Sequence, residues 1–318
     1  MDNDKQIDLS LVIPLYDEEN NVSLLYKKLK EVLDSTGRSY EIVYIDDGSR
    51  DNTLEELTKL HEQDDAVKVI SFSTNFGKGA GLSAGFEFAQ GDYIITMDGD
   101  LQDDPQDILV ILEKLDQGID LVAGWKPEGK GSAAKSIPSW MFNRFTAIVT
   151  GLKIHDMNCP FKGYKRDIAK NIGDEIHGDL FRYIPLIARR RGYSIEEVVV
   201  RNYPRQHGKS KFGMTRFVKG FLDFLTILFL TRFTMSPLHL FGTMGLIPTF
   251  FGSGIIFYLY GRKFLYGINV GTNLPLFTLS VLMVIFGVQV FSIGLLGEMI
   301  VNRNKSSDDK FKIKKVLK

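Results

Sequence analysis

The sequence predicts an α/β protein: a mostly parallel sheet domain, then interfacial amphipathic helices, then two transmembrane helices. Three observations predict it. Short apolar runs alternate with helical patterns from residue 9 to residue 123, the rhythm of strands joined by crossover helices. Several of those runs stop at polar or acidic residues, the loops expected at the carboxyl ends of parallel strands. Far downstream, two apolar stretches, about Pro237 to Tyr260 and about Leu274 to Val301, each exceed the roughly twenty residues that cross a bilayer.

Leu9 to Leu15 is the first strand, followed by the loop Tyr16-Asp17-Glu18-Glu19-Asn20. Val22, Leu25, Leu29 and Val32 then recur at helical spacing. Tyr40 to Ile45 is a second strand ending in Asp46-Asp47-Gly48-Ser49, with a helix after Asp51. Val67 to Phe72 leads through a glycine-rich turn to a helix near Leu82 to Ala89. Tyr93 to Met97 is a strand that stops at Asp98-Gly99-Asp100; Pro105 opens another helix and Ile119 to Ala123 is a further strand. Past Phe212, the residues Phe217, Phe221, Phe224 and Leu228, with Arg216 and Lys219 between them, describe an amphipathic helix at a membrane interface or a core helix. Gly242, Gly245, Gly252, Gly254, Gly287, Gly294 and Gly297 are candidate close-packing positions between the two spans.

Composition narrows the function. With 39 basic and 39 acidic residues there is no global field to recruit nucleic acid, so no nucleic-acid partner is expected. The single cysteine, Cys159, excludes an internal disulfide and suits a reducing compartment. It reads as a small buried residue, although His155 lies close enough in sequence to raise the question of a nucleophile. The first eight residues are polar, so no signal-peptide core is expected there. Basic residues crowd before the first span and beyond the second, while Arg262 and Lys263 alone occupy the connection. The positive-inside bias then puts the first domain and both termini in the cytoplasm, with the chain multi-pass in the plasma (inner) membrane.

Asp98 and Asp100 alternate with Gly99. An extended backbone would turn both carboxylates to one side, and the glycine would admit a ligand closely. Such a pair suits Mg²⁺ or Mn²⁺, which takes one or two carboxylates plus the oxygens of a bound diphosphate. A rival pattern lies in Gly77, Gly79, Gly81 and Gly85, which approximate a dinucleotide fingerprint. They follow the third strand, not the first, and the plain alternative is close packing of a helix on the sheet.

Together the motifs resemble a known family. Ile13-Pro14-Leu15-Tyr16-Asp17-Glu18-Glu19-Asn20, Ile45-Asp46-Asp47-Gly48-Ser49, Asn75-Phe76-Gly77-Lys78-Gly79 and Asp98-Gly99-Asp100-Leu101-Gln102 resemble the GT-A (Rossmann-like) glycosyltransferases of family 2. Asp156-Met157-Asn158-Cys159-Pro160-Phe161-Lys162 and Arg205-Gln206-His207-Gly208-Lys209-Ser210-Lys211-Phe212 resemble its polyprenyl-phosphate branch, including dolichol-phosphate mannose synthase and the GtrB-like bactoprenol glucosyltransferases. The resemblance implies that Pro14, Tyr16, Glu18 and Asp46 or Asp47 hold the nucleotide, and that Asp98, Asp100 and Gln102 bind the metal. It implies that Arg205 and Lys211, with Lys135 and Ser139, face the acceptor phosphate. At Gly124-Trp125-Lys126 the family often has Ser-Arg; Lys126 would supply the charge without arginine's bidentate fork. Pro160 stands where glycine is common.

The expected reaction is inverting transfer of a sugar, glucose from UDP-glucose by the likeness, to polyprenyl (undecaprenyl) phosphate. A lipid monophosphate brings its own nucleophilic oxygen, with a second ionisation near ~6, so the protein need mainly place it and neutralise charge. Asp100, Asp156 and Arg205 carry the expected chemistry, Asp156 by touching the sugar, positioning the acceptor, or capping a turn. Alternatives are another sugar on the same lipid (mannose, GlcNAc or a modified arabinose) and a membrane-anchored nucleotide-sugar binder without catalysis. A processive polysaccharide synthase would also need Gln-x-x-Arg-Trp, and neither Trp125 nor Trp140 has that context. The expected domains are 1–212 (catalytic), 213–235 (interfacial), 236–302 (two spans) and 303–318 (basic tail), and a homo-oligomer is compatible with all of this.

Overall fold

In the computed structural model of the chain, the described residues are 6–127, 154–173, 176, 178–203 and 237–304. They belong to two compact units, one built on a sheet and one of paired long helices. The sheet unit contains β1 (Leu9–Leu15), α1 (Val22–Ser35), β2 (Tyr40–Asp46), α2 (Thr53–Gln63), β3 (Val67–Ser71), α3 (Lys78–Phe88), β4 (Tyr93–Thr96), α4 (Asp107–Asp116) and β5 (Leu121–Trp125). After these come β6 (Lys162–Lys165), α5 (Arg166–Gly173), a 3₁₀ turn (Gly178–Tyr183), α6 (Ile184–Arg190) and β7 (Ile195–Val199).

Among the described residues these strands form one sheet in the order β3-β2-β1-β4-β6-β5-β7. All neighbours are parallel except β6, which runs antiparallel to both β4 and β5. Central β1 is apolar on both faces because helices cover both. Leu9, Leu11 and Ile13 pack with Leu25 and Leu29 of α1, Leu57 of α2 and Ile111 of α4. Val12 faces the other way, with Leu82 and Phe86 of α3 and Ile168 of α5. The period of two along β1 thus sorts its side chains between two cores. Helix α3 lies close on its face: a Cβ at Gly81 would stand 3.1 Å from the Pro14 Cβ, and one at Gly85 would stand 3.0 Å from the Ile45 Cδ1. These glycines serve helix-on-sheet packing, which removes the dinucleotide alternative.

Strands β6 and β7 have no counterpart in the sequence reading. Lys-Gly-Tyr-Lys shows no apolar run, because in β6 even Lys162 is buried. The reversal at β6 has a consequence for the site. It brings residues 156–160 to the end of β4, where the Thr96 hydroxyl donates to the Pro160 carbonyl at 2.8 Å.

The helical unit contains α7 (Pro237–Tyr266), a 3₁₀ turn (Val270–Asn273) and α8 (Leu274–Asn304); both helices are long and apolar enough to cross a membrane. They pack through small residues: a Cβ at Gly245 would meet the Gly287 carbonyl at 2.5 Å, and one at Gly252 the Ser280 carbonyl at 2.6 Å. Gly254 is the exception, with no atom within 4 Å, so it is no packing position. Arg262 and Lys263 lie inside α7 and not in a loop, since the helix continues to Tyr266. Glu298 of α8 accepts a hydrogen bond from the Leu238 N–H at 3.3 Å, satisfying a donor in the first turn of α7. The expected interfacial helix of 213–235 and the tail beyond residue 304 lie outside the described residues.

Candidate active site

The carboxyl ends of β1, β2 and β4 converge on a cavity of about 600 Å³ lined by Pro14, Tyr16, Glu18, Asp47, Asp98 and Asp100. That size suits a small-molecule ligand. Asn75, Gly77, Lys78 and Arg50 also border it.

Hydrogen bonds between consecutive loops hold the donor side in shape. After β1 the chain turns through Asp17 at φ 54°, a conformation uncommon for a residue with a side chain. The Asp17 N–H donates to the Ser49 hydroxyl at 3.0 Å, and its carboxylate accepts from the Arg50 N–H at 2.8 Å. The Glu18 N–H donates to the Thr53 hydroxyl at 2.9 Å. At the end of β2 the two acids separate in role. Asp46 is buried, accepting from the Ser49 N–H at 3.1 Å and the Ser71 hydroxyl at 2.9 Å. Asp47 lines the cavity and takes the backbone N–H groups of Phe76 and Gly77 at 2.7 and 2.9 Å. Of the pair Asp46 or Asp47, Asp47 is therefore the one at the cavity. Gly48 sits at φ +69° against the Thr74 backbone, where no side chain fits.

Past β4 the chain is not extended, as the sequence reading supposed. Leu101 adopts φ 61°, and the turn sets Asp98 and Asp100 on the cavity wall. Gly99 lines the cavity as well, and the space of its missing Cβ is occupied by the Leu15 side chain. Asp98 pairs with the Lys78 ammonium, which also lies 5.5 Å from the Phe181 ring centre. The Asp100 carboxylate accepts from the Gln102 N–H at 3.2 Å and from its side-chain amide at 2.9 Å. Gln102 thus orients Asp100 through its amide donor. Among the described residues no three His, Cys, Asp or Glu side chains form a ready metal cluster. Two oxygen-donor carboxylates on one cavity wall, one already facing a cation, fit a hard divalent ion that completes its shell with ligand oxygens.

Behind this wall lies a layer of buried charge. Lys126 pairs with the fully buried Asp103 at 2.5 Å, so its ammonium is engaged by a carboxylate of the protein. Burial works against the Lys126 charge, but Asp103 outweighs it and holds the ammonium above its ordinary range. Burial pushes the Asp103 carboxyl up, with Lys126 opposing. Asp156 is also pushed up by burial, opposed by Lys162. Its carboxylate accepts from the Asn158 N–H at 3.0 Å, the turn-capping geometry among its three expected roles. Lys162 is wholly buried, which lowers its pKa, and it donates to the Cys159 carbonyl. Burial raises the Cys159 thiol to about 11. His155 is no partner for it: its ring stacks on Trp125 at 4.2 Å and bonds Glu197 at 2.7 Å.

The acceptor-side residues Lys135, Ser139, Arg205 and Lys211 lie outside the described residues. Sequence reasoning missed Arg50, Lys78 and Asp103 as site residues. Lys78 had a signal, a cation at the first position of a helix following a glycine turn; Asp103 had none beyond its place in a run of acids.

The family described as glycosyl transferase family 2 matches residues 10–173. A dodecaprenyl-phosphate galacturonate synthase from Rhizobium johnstonii is 34% identical over 304 residues, spanning 93% of this chain and 88% of the relative. An undecaprenyl-phosphate 4-deoxy-4-formamido-L-arabinose transferase from Shewanella sediminis is 33% identical over 304 residues, spanning 94% and 89%. Among solved structures, mannosyl-3-phosphoglycerate synthase from Rubrobacter xylanophilus shares the fold at 14% identity with a TM-score of 0.50, over 70% of this chain and 74% of that one.

Proposed function

The chain belongs to glycosyl transferase family 2 and is a glycosyltransferase of the GT-A fold, and on that premise we propose that it transfers a sugar from a nucleotide sugar to a polyprenyl phosphate at the cytoplasmic face of the inner membrane. The observation that carries this reading is the meeting of Pro14, Tyr16, Glu18, Asp47, Asp98 and Asp100, drawn from the carboxyl ends of three separate strands and the loops after them, on one cavity. Two relatives whose names specify polyprenyl-phosphate acceptors, alike over nine-tenths of this chain, support the lipid. The two apolar helices support the membrane.

Pro14, Tyr16, Glu18 and Asp47 hold the nucleotide. Asp98 and Asp100 hold Mg²⁺ or Mn²⁺, with Gln102 keeping Asp100 in place. The metal, when bound, supplies charge neutralisation at the departing nucleoside diphosphate. The phosphate oxygen of the lipid attacks the anomeric carbon with inversion, so no side chain need serve as a base. Lys135, Ser139, Arg205 and Lys211 grip that phosphate. Asp156 caps its own turn and Lys126 neutralises Asp103.

The likeness noted in the sequence implies glucose from UDP-glucose, whereas the two relatives are named for galacturonate and for 4-deoxy-4-formamido-L-arabinose. A panel of the three nucleotide sugars, with Mg²⁺ and undecaprenyl phosphate, resolves the donor. One labelled sugar is expected in the organic-extractable lipid, dependent on added acceptor. Asp100→Ala is expected to abolish that transfer in a protein with unchanged circular dichroism. Label that stays in water across the panel, or full activity in Asp100→Ala, would refute the reading.

A further inference from the structure

The loop that presents Asp100 is braced from a segment about a hundred residues later. Leu101 is held at φ 61°, a conformation that residues with side chains seldom adopt, so the turn needs partners outside itself. They come from the chain just after β7. The Tyr203 N–H donates to the Gln102 carbonyl at 2.8 Å, and Asn202 forms an isolated antiparallel bridge with Asp103. Arg201 fastens the same segment by its side chain. Its Nε and one terminal nitrogen reach Asp107 Oδ1 at 3.0 and 2.8 Å, the other terminal nitrogen reaches Asp104 Oδ2 at 2.8 Å, and its backbone N–H reaches Asp107 Oδ2 at 2.6 Å. The Tyr203 hydroxyl adds a bond to Asp104 Oδ2 at 3.0 Å. Asp107 is the first residue of α4, so the brace ties the turn to a rigid helix. The far end of the turn is Gln102, which holds both Asp100 oxygens.

We infer that Arg201 and Tyr203 are positioning residues for Asp100, setting the affinity of the site for its divalent cation through the 102–104 turn. Neither faces the cavity; Arg201 is half exposed on its outer side. A surface arginine with only a solubilising role would not commit its main chain and three side-chain nitrogens to two carboxylates, one in the turn and one at the start of α4. Its guanidinium bridges Asp104 and Asp107 at once, which a lysine ammonium reproduces only in part.

The inference rests on Asp98 and Asp100 being the metal site, and the test separates the two. Mn²⁺ binding is followed by electron paramagnetic resonance in the full-length protein, with UDP present and without turnover, alongside thermal melting. Arg201→Gln is expected to weaken Mn²⁺ binding about 10-fold, the usual scale for losing support behind a metal ligand, with a far smaller change in UDP affinity measured without metal. Arg201→Lys should recover part of it. Tyr203→Phe, which removes one hydroxyl and cannot plausibly unfold the sheet, should weaken binding in the same direction by a smaller factor, and stands in if Arg201→Gln fails to fold. Unchanged Mn²⁺ affinity in folded Arg201→Gln or, failing that, in Tyr203→Phe overturns the inference while binding that Asp100→Ala abolishes leaves the metal site standing. Wild-type Mn²⁺ binding that survives Asp100→Ala overturns both.

Discussion

Replacing Lys126 with methionine tests whether this lysine serves the fold, the donor, or both. The substitution keeps most of the volume and removes the ammonium that faces Asp103 at 2.5 Å. Asp103 has a fully buried side chain and Lys126 is 18% exposed, so the variant strands a carboxylate away from water. Removing one partner of a buried pair costs about 3 kcal/mol, the lower end of the observed range being appropriate because Lys126 is not fully enclosed. For a unit of this size that is a fall in Tm of roughly 6–12 °C. The pH dependence has a definite sign. Burial already holds the Asp103 carboxyl above its ordinary value of 3.8, and without Lys126 it rises further. A carboxyl that binds its proton more tightly when folded loses stability as pH climbs from its unfolded value through its folded one. Lys126→Met should therefore melt closer to wild type as the buffer is acidified within that window. Adding Asp103→Leu should restore most of the stability, because the buried charge is then gone. Transfer assays on that double variant separate the roles: recovered stability with lost donor affinity would assign Lys126 to the nucleotide sugar. A single variant melting within about 2 °C of wild type at neutral pH would refute the buried-pair reasoning.

Two further outcomes follow from packing and burial. Gly85→Ala puts a methyl group 3.0 Å from Ile45 and closer still to Val12, and should cost about 1 kcal/mol or more in denaturant unfolding despite alanine's better helix propensity; Val12→Ala should regain part of it, and no loss in the single variant would contradict the close approach of α3. Cys159, its thiol raised to about 11, should resist a disulfide-exchange reagent at pH 8 in native membranes and react in a burst on denaturation; rapid native labelling would show that this pocket is open.

What was legible in the sequence was whatever is continuously apolar or carries a helical period. The strands β1 to β5 announce themselves as short apolar runs, and helix α1 because its apolar residues repeat at three and four. Helices α7 and α8 do so by length alone. Strand β6 was illegible for a physical reason: its residues Lys162 and Lys165 are charged, and the energy that holds it comes from β4 and β5 on either side and from Cys159's carbonyl on the lysine. A pattern of hydrophobicity cannot show a strand stabilised by its neighbours. The site was legible as a set of strand ends but not in its internal assignments. Nothing in Asp46-Asp47 says which carboxylate faces inward; that depends on Ser71 lying beside one and the Phe76-Gly77 amides beside the other. Gly99 was read as an opening for ligand because its sequence neighbours are acids, yet the atom that requires it to be glycine belongs to Leu15.

Among the described residues, most carboxylates of this acid-rich region are engaged in building the loops. Asp46 and Asp47 bind loop amides or hydroxyls, Asp103 neutralises Lys126, Asp107 anchors Arg201, and Asp156 caps its own turn. Each carboxylate shapes a loop that a hydrophobic core cannot reach, since loops at the ends of strands expose backbone donors that need acceptors. Asp98 and Asp100 line the cavity itself, Asp98 facing the Lys78 ammonium and Asp100 held by the backbone N–H and side-chain amide of Gln102. A reaction whose nucleophile is itself an anion asks for such a division, with most acids building the walls and two at the position where positive charge is exchanged. An enzyme activating a neutral hydroxyl would instead turn the basic atom of a carboxylate or imidazole on the cavity toward the acceptor, a role that among the described residues would fall to Glu18. His155, the imidazole nearest in sequence to the site motifs, has its ring nitrogen on Glu197 and its face on Trp125.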